Sequence, residues 1–459
     1  MFGSVVSRDH MAEARTIAQP GWKGGGVFWA FRGLSRVGRT YPLWFSEGFK
    51  ELKEPNHPEY AMIKCYIGLD VHKSSISVAY ALADREEPIF YGKLGGSNQC
   101  LERGLRKMLK SLGLNKAEVS IVYEAGPCGF VAARRLLQLG YQVIVAAPSK
   151  IERAPGDKIK TDRRDALKLA RLLRSGDLAA VHIPEVADEA IRDVCRARTD
   201  ASEDARKAKQ RLGAFLLRNG IHYTGKTAWT PAHMRYLREL KLPFESQHIV
   251  LEEYLLAIDR ALDRVERLEK QMEQLLADWE RAPFVEALTA FRGFQRVAAM
   301  TVVSEIGDFS RFEHPRQLMA FLGLVPGENS SGPRRRQGAI TKCGNSHARW
   351  MLVECAHHYD KAPKVSVPLS KRQEGQSKEV KELSWRAQNR LHGRFARLAM
   401  RQLNRNKVVV AVARELCGFI WELMRLVTEL GVGGNAATAP HAGRRQTIKT
   451  GRLYILKRS

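Results

Sequence analysis

Long apolar runs are missing from this chain. No stretch of eighteen apolar residues occurs in its 459 positions, so a helix crossing a bilayer is not expected. Cysteine is scarce: Cys65, Cys100, Cys128, Cys195, Cys343, Cys355 and Cys417 are odd in number and form no CxxC pair. That pattern argues against a disulfide framework or structural zinc and for a reducing cytoplasm. Acids are outnumbered too, 49 Asp and Glu against 75 Lys and Arg, and the net charge of +26 favours a polyanionic partner. Charge alone would equally suit a ribosomal or packaging protein, so the choice falls to the acids that remain. The ends lack pattern. Residues 1–61 have no sustained periodicity and no apolar core of a signal peptide, so they read as an extension outside the native fold, with Met62 as the start. The tail over 431–459, rich in Gly, Ala, Arg and Lys, reads as disordered.

What is present begins at Asp70, at the end of a mostly apolar run from Ile63 to Val71. Strand-like runs follow over Ile76–Leu82, around Pro88–Tyr91, over Val119–Glu124 and over Tyr141–Ala147, with helical patterns over Leu101–Leu112 and Phe130–Leu139. This alternation predicts an α/β domain, a mixed sheet covered by helices, and sites in such sheets collect at strand ends. Glu124 stands at such an end. In Thr161-Asp162-Arg163-Arg164-Asp165, Thr161 is a candidate cap, Leu167, Ala170 and Leu173 give the helix an apolar stripe, and the two aspartates share a face. Singly, Asp162 and Asp165 would only start a helix, where negative charge is welcome. Four carboxylates brought together would repel unless divalent cations neutralised them. Oxygen ligands favour Mg²⁺ or Mn²⁺, and two such ions clamp the attacking and leaving oxygens of a phosphodiester. Asp70, Glu124, Asp162 and Asp165 are therefore the candidate metal ligands and catalytic acids.

The runs Gly68-Leu69-Asp70-Val71-His72-Lys73, Tyr123-Glu124-Ala125 and Lys160-Thr161-Asp162-Arg163-Arg164-Asp165-Ala166 resemble those of the DEDD transposases, the insertion-sequence family numbered one-ten. The resemblance covers nearly all of residues 62–430. It implies an RNase H-like, RuvC-type fold for residues 62–184, with the acidic tetrad on the four residues named above. It also implies a C-terminal transposase domain over 286–430, bacterial nucleoid as the setting, and a structured guide RNA that pairs with donor and target DNA.

A second motif is Leu324-Val325-Pro326-Gly327-Glu328-Asn329-Ser330-Ser331-Gly332-Pro333-Arg334-Arg335-Arg336. Its glycines and proline make it a loop, where Arg334, Arg335 and Arg336 are suited to hold phosphate. A serine needs a base or metal to become a nucleophile, and no histidine lies at close spacing. An arbitrary Ser-Ser-Gly would merely hydrogen-bond its own backbone. The resemblance decides, because the family carries a catalytic serine in a Ser-Gly loop followed by basic residues. It points to Ser331, with Ser330 next. Lys342, in Gly338-Ala339-Ile340-Thr341-Lys342-Cys343-Gly344-Asn345, joins the nucleic-acid contacts, and Asn345 is a candidate cap. His347, His357 and His358 are assigned no metal.

Residues 185–285 read as a helical connector. Leu255, Ile258, Leu262, Val265, Leu268, Met272 and Leu275 form a seam that suits a coiled coil, or equally an amphipathic helix packed on its own domain. An earlier helical stretch, Ala187–Leu217, is basic on its outer face. In the family these helices help subunits assemble, so a homo-oligomer, dimer or tetramer, is implied. Phe291-Arg292-Gly293-Phe294-Gln295 and the run after it resemble a helix-hairpin-helix, whose Gly turn admits phosphate. Arg386, Arg390, Arg394, Arg397 and Arg401 suggest a mainly α C-terminal domain with a face for RNA or DNA. The sequence thus indicates a two-domain DNA transposase or recombinase. A junction or hybrid nuclease with water as nucleophile, and a non-catalytic nucleic-acid-binding protein, are the alternatives.

Overall fold

The computed structural model describes residues 62–84, 87–151, 161–331, 334 and 336–431. The extension before Met62, the tail beyond Gly431 and Arg335 lie outside the described residues.

Five strands, β1 (Cys65–Val71), β2 (Ser75–Leu82), β3 (Ile89–Gly95), β4 (Val119–Glu124) and β5 (Gln142–Ala146), form one sheet in the order β3-β2-β1-β4-β5. The first three are joined by short turns and pair antiparallel. The other two run parallel to β1 because each is reached through a helix, α1 (Asn98–Leu112) or α2 (Val131–Gln138). β3 runs on to Gly95, four residues beyond the stretch around Pro88–Tyr91 expected from the sequence.

The two-residue period of a strand sorts the sheet's side chains. Cys65, Ile67, Leu69, Ile76, Val78, Ile121 and Tyr123 enter a core with α1 and α2. Their neighbours Ala79, Ala81, Val122 and Ala146 face the other way, against Ala166, Leu169, Ala170 and Leu173 of α3 (Asp162–Ser175). Leu167, expected in that stripe, is only half-buried. Gly68 explains how closely α3 approaches: a Cβ there would lie 2.3 Å from the Ala166 carbonyl oxygen and 2.5 Å from the Ala170 nitrogen. Small residues on this face let the helix rest on the backbone of β1.

Two long helices follow, α4 (Val186–Arg218) and α6 (Glu245–Leu276), with the short α5 (Pro231–Glu239) between them. Cross-helix pairs fix their direction. Arg198 pairs with Glu269, Arg264 with Asp204 (3.1 Å), and Gln247 donates to Asn219 (2.8 Å), so residues advance along one helix as they recede along the other. The hairpin is antiparallel, and the seam expected on α6 finds its partner within the same chain. Leu251, Leu255, Ile258 and Met272 are buried there, whereas Leu262 and Leu275 are 40% and 39% exposed and Leu276 is buried instead. At the far end, Leu212, Phe215, Leu237, Leu251 and Leu255 form their own cluster.

The remaining helices are α7 (Ala282–Thr289), α8 (Arg296–Ile306), α9 (Pro315–Phe321), α10 (Ser346–Ala356), α11 (Val367–Arg372), α12 (Lys378–Met400) and α13 (Arg405–Glu429), with the hairpin β6 (Pro326–Glu328) and β7 (Gln337–Ile340). Apart from α11 and β6 they share one core, built on Phe291, Phe294, Leu352, Tyr359 and the buried face of α13, which also takes in Ile191, Cys195 and Met272 from the helical hairpin and Trp279 just beyond it. Glu305 of α8 is buried and fully partnered: Arg196 of α4 grips it at 2.7 and 3.0 Å, and Asn345 donates at 2.7 Å. Asn345 also caps α10, accepting from Ala348 as its position suggested. Gly293 lets the turn before α8 pack closely on α10, because a Cβ there would meet the Cys355 carbonyl at 2.6 Å. The basic run of α12 is likewise partly spent: Arg386 pairs with Glu422, and Arg390 and Arg394 both reach Glu415, at 3.1 and 3.3 Å.

Candidate active site

Strand alternation puts Asp70, Ser77, Lys93 and Glu124 on the sheet face that receives α3. Asp70 lies opposite Ser77 and Ser77 opposite Lys93, so the three form a row across β1, β2 and β3. Leu69 is paired with Tyr123 in parallel register, so Asp70 and Glu124 close adjacent strand ends. The N-terminus of α3 completes the arrangement. Thr161 caps it by accepting from the Arg164 amide at 3.3 Å, and Asp162 and Asp165 occupy its first turn.

The resulting cluster is tight. Oxygens of Asp70 and Asp162 and a ring nitrogen of His72 all lie within 4.8 Å of one another. His72 Nε2 is 3.1 Å from Asp70 Oδ2 and 3.8 Å from Asp162 Oδ1. Lys93 donates from Nζ to Asp162 Oδ2 at 2.8 Å. Burial raises the Asp70 carboxyl above its ordinary range; His72 opposes that, and the negative fields of Asp162 and Asp165 add to it. Asp162 moves the other way, lowered chiefly by its hydrogen bond from Lys93. Thus Asp70, Asp162 and Asp165 are brought within one another's fields. Glu124 is exposed on the neighbouring strand end, outside the three-residue cluster.

The donor set fits a hard divalent cation. Carboxylate oxygens dominate, Asp70 is held where its charge is disfavoured unless a cation compensates, and positive groups already gather there. Ser77 is 1% exposed and its hydroxyl has no hydrogen-bond partner, an unsatisfied polar atom in the same row. His72, Lys93 and Ser77 are site residues that sequence reasoning passed over. His72 stood inside a quoted motif without a role. Lys93 is 69 residues from Asp162, and only strand register reveals that they meet.

The serines occupy the tip of the β6/β7 hairpin. Asn329 donates its amide to the Arg336 carbonyl at 2.9 Å, and Ser331 bridges to Arg334. Ser330 braces the tip, since its Oγ donates to Glu328 Oε1 at 3.0 Å and accepts the Arg336 amide at 3.1 Å. Ser331 is exposed. Lys342 sits at the base with φ of 56°, a left-handed conformation unusual for a side chain of its size, held by its amide's bond to the Gly323 carbonyl at 3.1 Å.

Comparison with known proteins follows the same division. Residues 67–219 match a family described as Transposase, and residues 285–365 one described as Transposase IS116/IS110/IS902 family. The chain is 40% identical over 362 residues to y4qE of Sinorhizobium fredii, a protein named as a transposase, across 79% of this chain and 89% of that one. It is 30% identical over 338 residues to the transposase for insertion sequence element IS1533 of Leptospira borgpetersenii, covering 73% of this chain and 96% of the relative. With the transposase for insertion sequence element IS1111A of Coxiella burnetii it shares 26% over 209 residues, 43% and 54% of the two chains.

Proposed function

Since the chain belongs to the IS116/IS110/IS902 transposase family, we propose that it cuts and rejoins DNA through divalent ions on the acidic tetrad and a serine nucleophile. The observation that carries this reading is the convergence of Asp70 and Asp162, with Asp165 beside them, at one end of the sheet. Asp70, Glu124, Asp162 and Asp165 are the residues that would hold Mg²⁺ or Mn²⁺. Two such ions, when bound, neutralise charge on the attacking and leaving oxygens.

Ser331 supplies the attacking oxygen. Its Oγ displaces a DNA 3′-oxygen from phosphorus, forming a phosphoserine link. A free 3′-hydroxyl then attacks the same phosphorus and releases the serine. One feature supports Ser331 over Ser330: both are exposed at the hairpin tip, but the Ser330 hydroxyl is already committed on both sides within the hairpin. Arg334, Arg335, Arg336 and Lys342 then steady the phosphate. A structured guide RNA, paired with donor and target DNA, selects the sites, and assembly into a dimer or tetramer on the bacterial nucleoid brings serine and tetrad together. Among the described residues, no helix is long and apolar enough to cross a membrane.

The test is to quench the reaction in denaturant and look for protein attached to DNA. Wild type should form the adduct, and Ser331→Ala should lose it with a rate loss on the order of 10⁴-fold or more. Adduct that survives in Ser331→Ala but not in Ser330→Ala moves the nucleophile by one residue. Cleavage without adduct in every variant replaces the serine by water.

A further inference from the structure

The turn before α8, the outer face of α10 and the segment between α10 and α11 enclose a cleft of about 660 Å³. Its cations come from separate parts of the chain: Arg198 from α4, where it is paired with Glu269, Arg292 from the turn, Lys361 and Lys364 from the connecting segment, and Arg372 from α11. Glu354 is the single acid among the lining residues.

Two of these cations build the cleft rather than face its contents. Arg292 donates to the carbonyls of Lys361 and Ala362, both at 2.9 Å, and to that of Lys364 at 2.8 Å. Arg372 donates to the Thr289 carbonyl at 2.9 Å. The Lys364 amide is also held, by the buried Gln388 at 3.2 Å. The segment carrying Lys361 and Lys364 is therefore braced from behind, with both lysines exposed. Trp350 stands across from them on α10, 45% exposed although Met351 and Leu352 beside it are buried. No ring or cation contact is described for its indole.

A half-open indole rimmed by two fixed lysines matches an unpaired nucleotide. The base needs a flat apolar face, and its flanking phosphates need ammonium groups. In a duplex both base faces are already covered by stacking, so the indole would have nothing to meet. We propose that this cleft binds a single-stranded segment of DNA, one base stacked on Trp350 and its phosphates held by Lys361 and Lys364. The inference rests on the DNA-rejoining reading only for the source of the strand, since strand exchange exposes unpaired DNA.

The test separates binding from chemistry by using the full chain carrying Asp70→Asn. A fluorescent DNA oligonucleotide of about six nucleotides is titrated at several salt concentrations. Adding Trp350→Ala should weaken binding roughly 5- to 100-fold with little change in salt dependence. Lys361→Gln with Lys364→Gln should instead lower the slope of log affinity against log salt by about 1.4, about 0.7 for each lost phosphate contact. An oligonucleotide carrying 5-iodouracil should photocross-link to the peptide containing Trp350. The proposal is overturned if Trp350→Ala binds the strand as tightly as its parent, or if duplex of equal length suffers the same loss. An RNA strand that depends on Trp350 where DNA does not would assign the cleft to RNA. A change in sedimentation without a change in binding would make the face a protein interface. Because the parent is already inactive, loss of the catalytic reading leaves every one of these outcomes interpretable.

Discussion

Asp70 is held under opposing influences, and their sign can be measured. Its carboxyl is raised, first by burial, so the folded state disfavours its charged form. Wild-type stability without divalent ions should therefore fall as pH climbs from the ordinary carboxylate range through the raised value. Asp162, lowered by Lys93, contributes stability above its unfolded value that is lost on acidification. Asp70→Asn should raise the metal-free melting temperature at neutral pH and flatten the first of these slopes. Mg²⁺ should raise the wild-type melting temperature but do little for the variant, and strand cleavage should be abolished. Equal Mg²⁺ responses in both proteins would remove Asp70 from the ligand set. At this scale the positions of the candidate acids were legible, Asp70 and Glu124 because they stand at strand ends and Asp162 and Asp165 because they open a capped helix. Their cationic neighbours were not, since a lysine in a short glycine-bounded strand carries no signal until register brings it to the row.

Helices and strands were largely legible, because period two and period 3.6 separate cleanly over residues 65–175. The sheet is the RNase H-like α/β arrangement, three antiparallel strands extended by two parallel ones. What the pattern hid is which element covers which. The apolar stripe of α6 has the same spacing whether its partner is another chain or α4, and the arginines of α12 look solvent-directed until α13 supplies Glu415 and Glu422. Gly68 is the clearest case of contact setting function. Gly68→Ala inserts a methyl where α3 touches β1 backbone, so α3 must retreat, at a cost of about 1–3 kcal/mol, carrying Asp162 and Asp165 away from Asp70. Calorimetric Mg²⁺ titration should show weakened binding even where circular dichroism finds the domain folded. Arg196→Ala leaves Glu305 buried with Asn345 as its remaining side-chain partner, and denaturant unfolding should register a loss on the order of 3 kcal/mol.

For the whole molecule, the net charge of +26 predicts DNA binding that weakens steeply with salt, whatever the sequence bound. Catalysis asks for more than charge. The hydrogen bonds described for Ser330 stay within its own hairpin, and Ser331 bridges to Arg334, while the acids gather at the end of the sheet. If partner chains supply the two halves to each other, mixing inactive Asp70→Asn with inactive Ser331→Ala should restore part of the activity, detected as recombined DNA. A mixture as inactive as its components would place both halves in one chain.

The paired helices α4 and α6 also act as a yardstick. With 33 and 32 residues they extend about 48 Å at 1.5 Å per residue, and they are pinned at one end by the buried Asp188, which holds Trp279 at 3.0 Å and Arg281 at 2.7 Å. Whatever docks on the far tip is kept at a set reach from the base, about the length of fourteen stacked base pairs at 3.4 Å each. That reach is written into helix length, and deleting matched turns from both helices would shorten it in steps of about 5.4 Å.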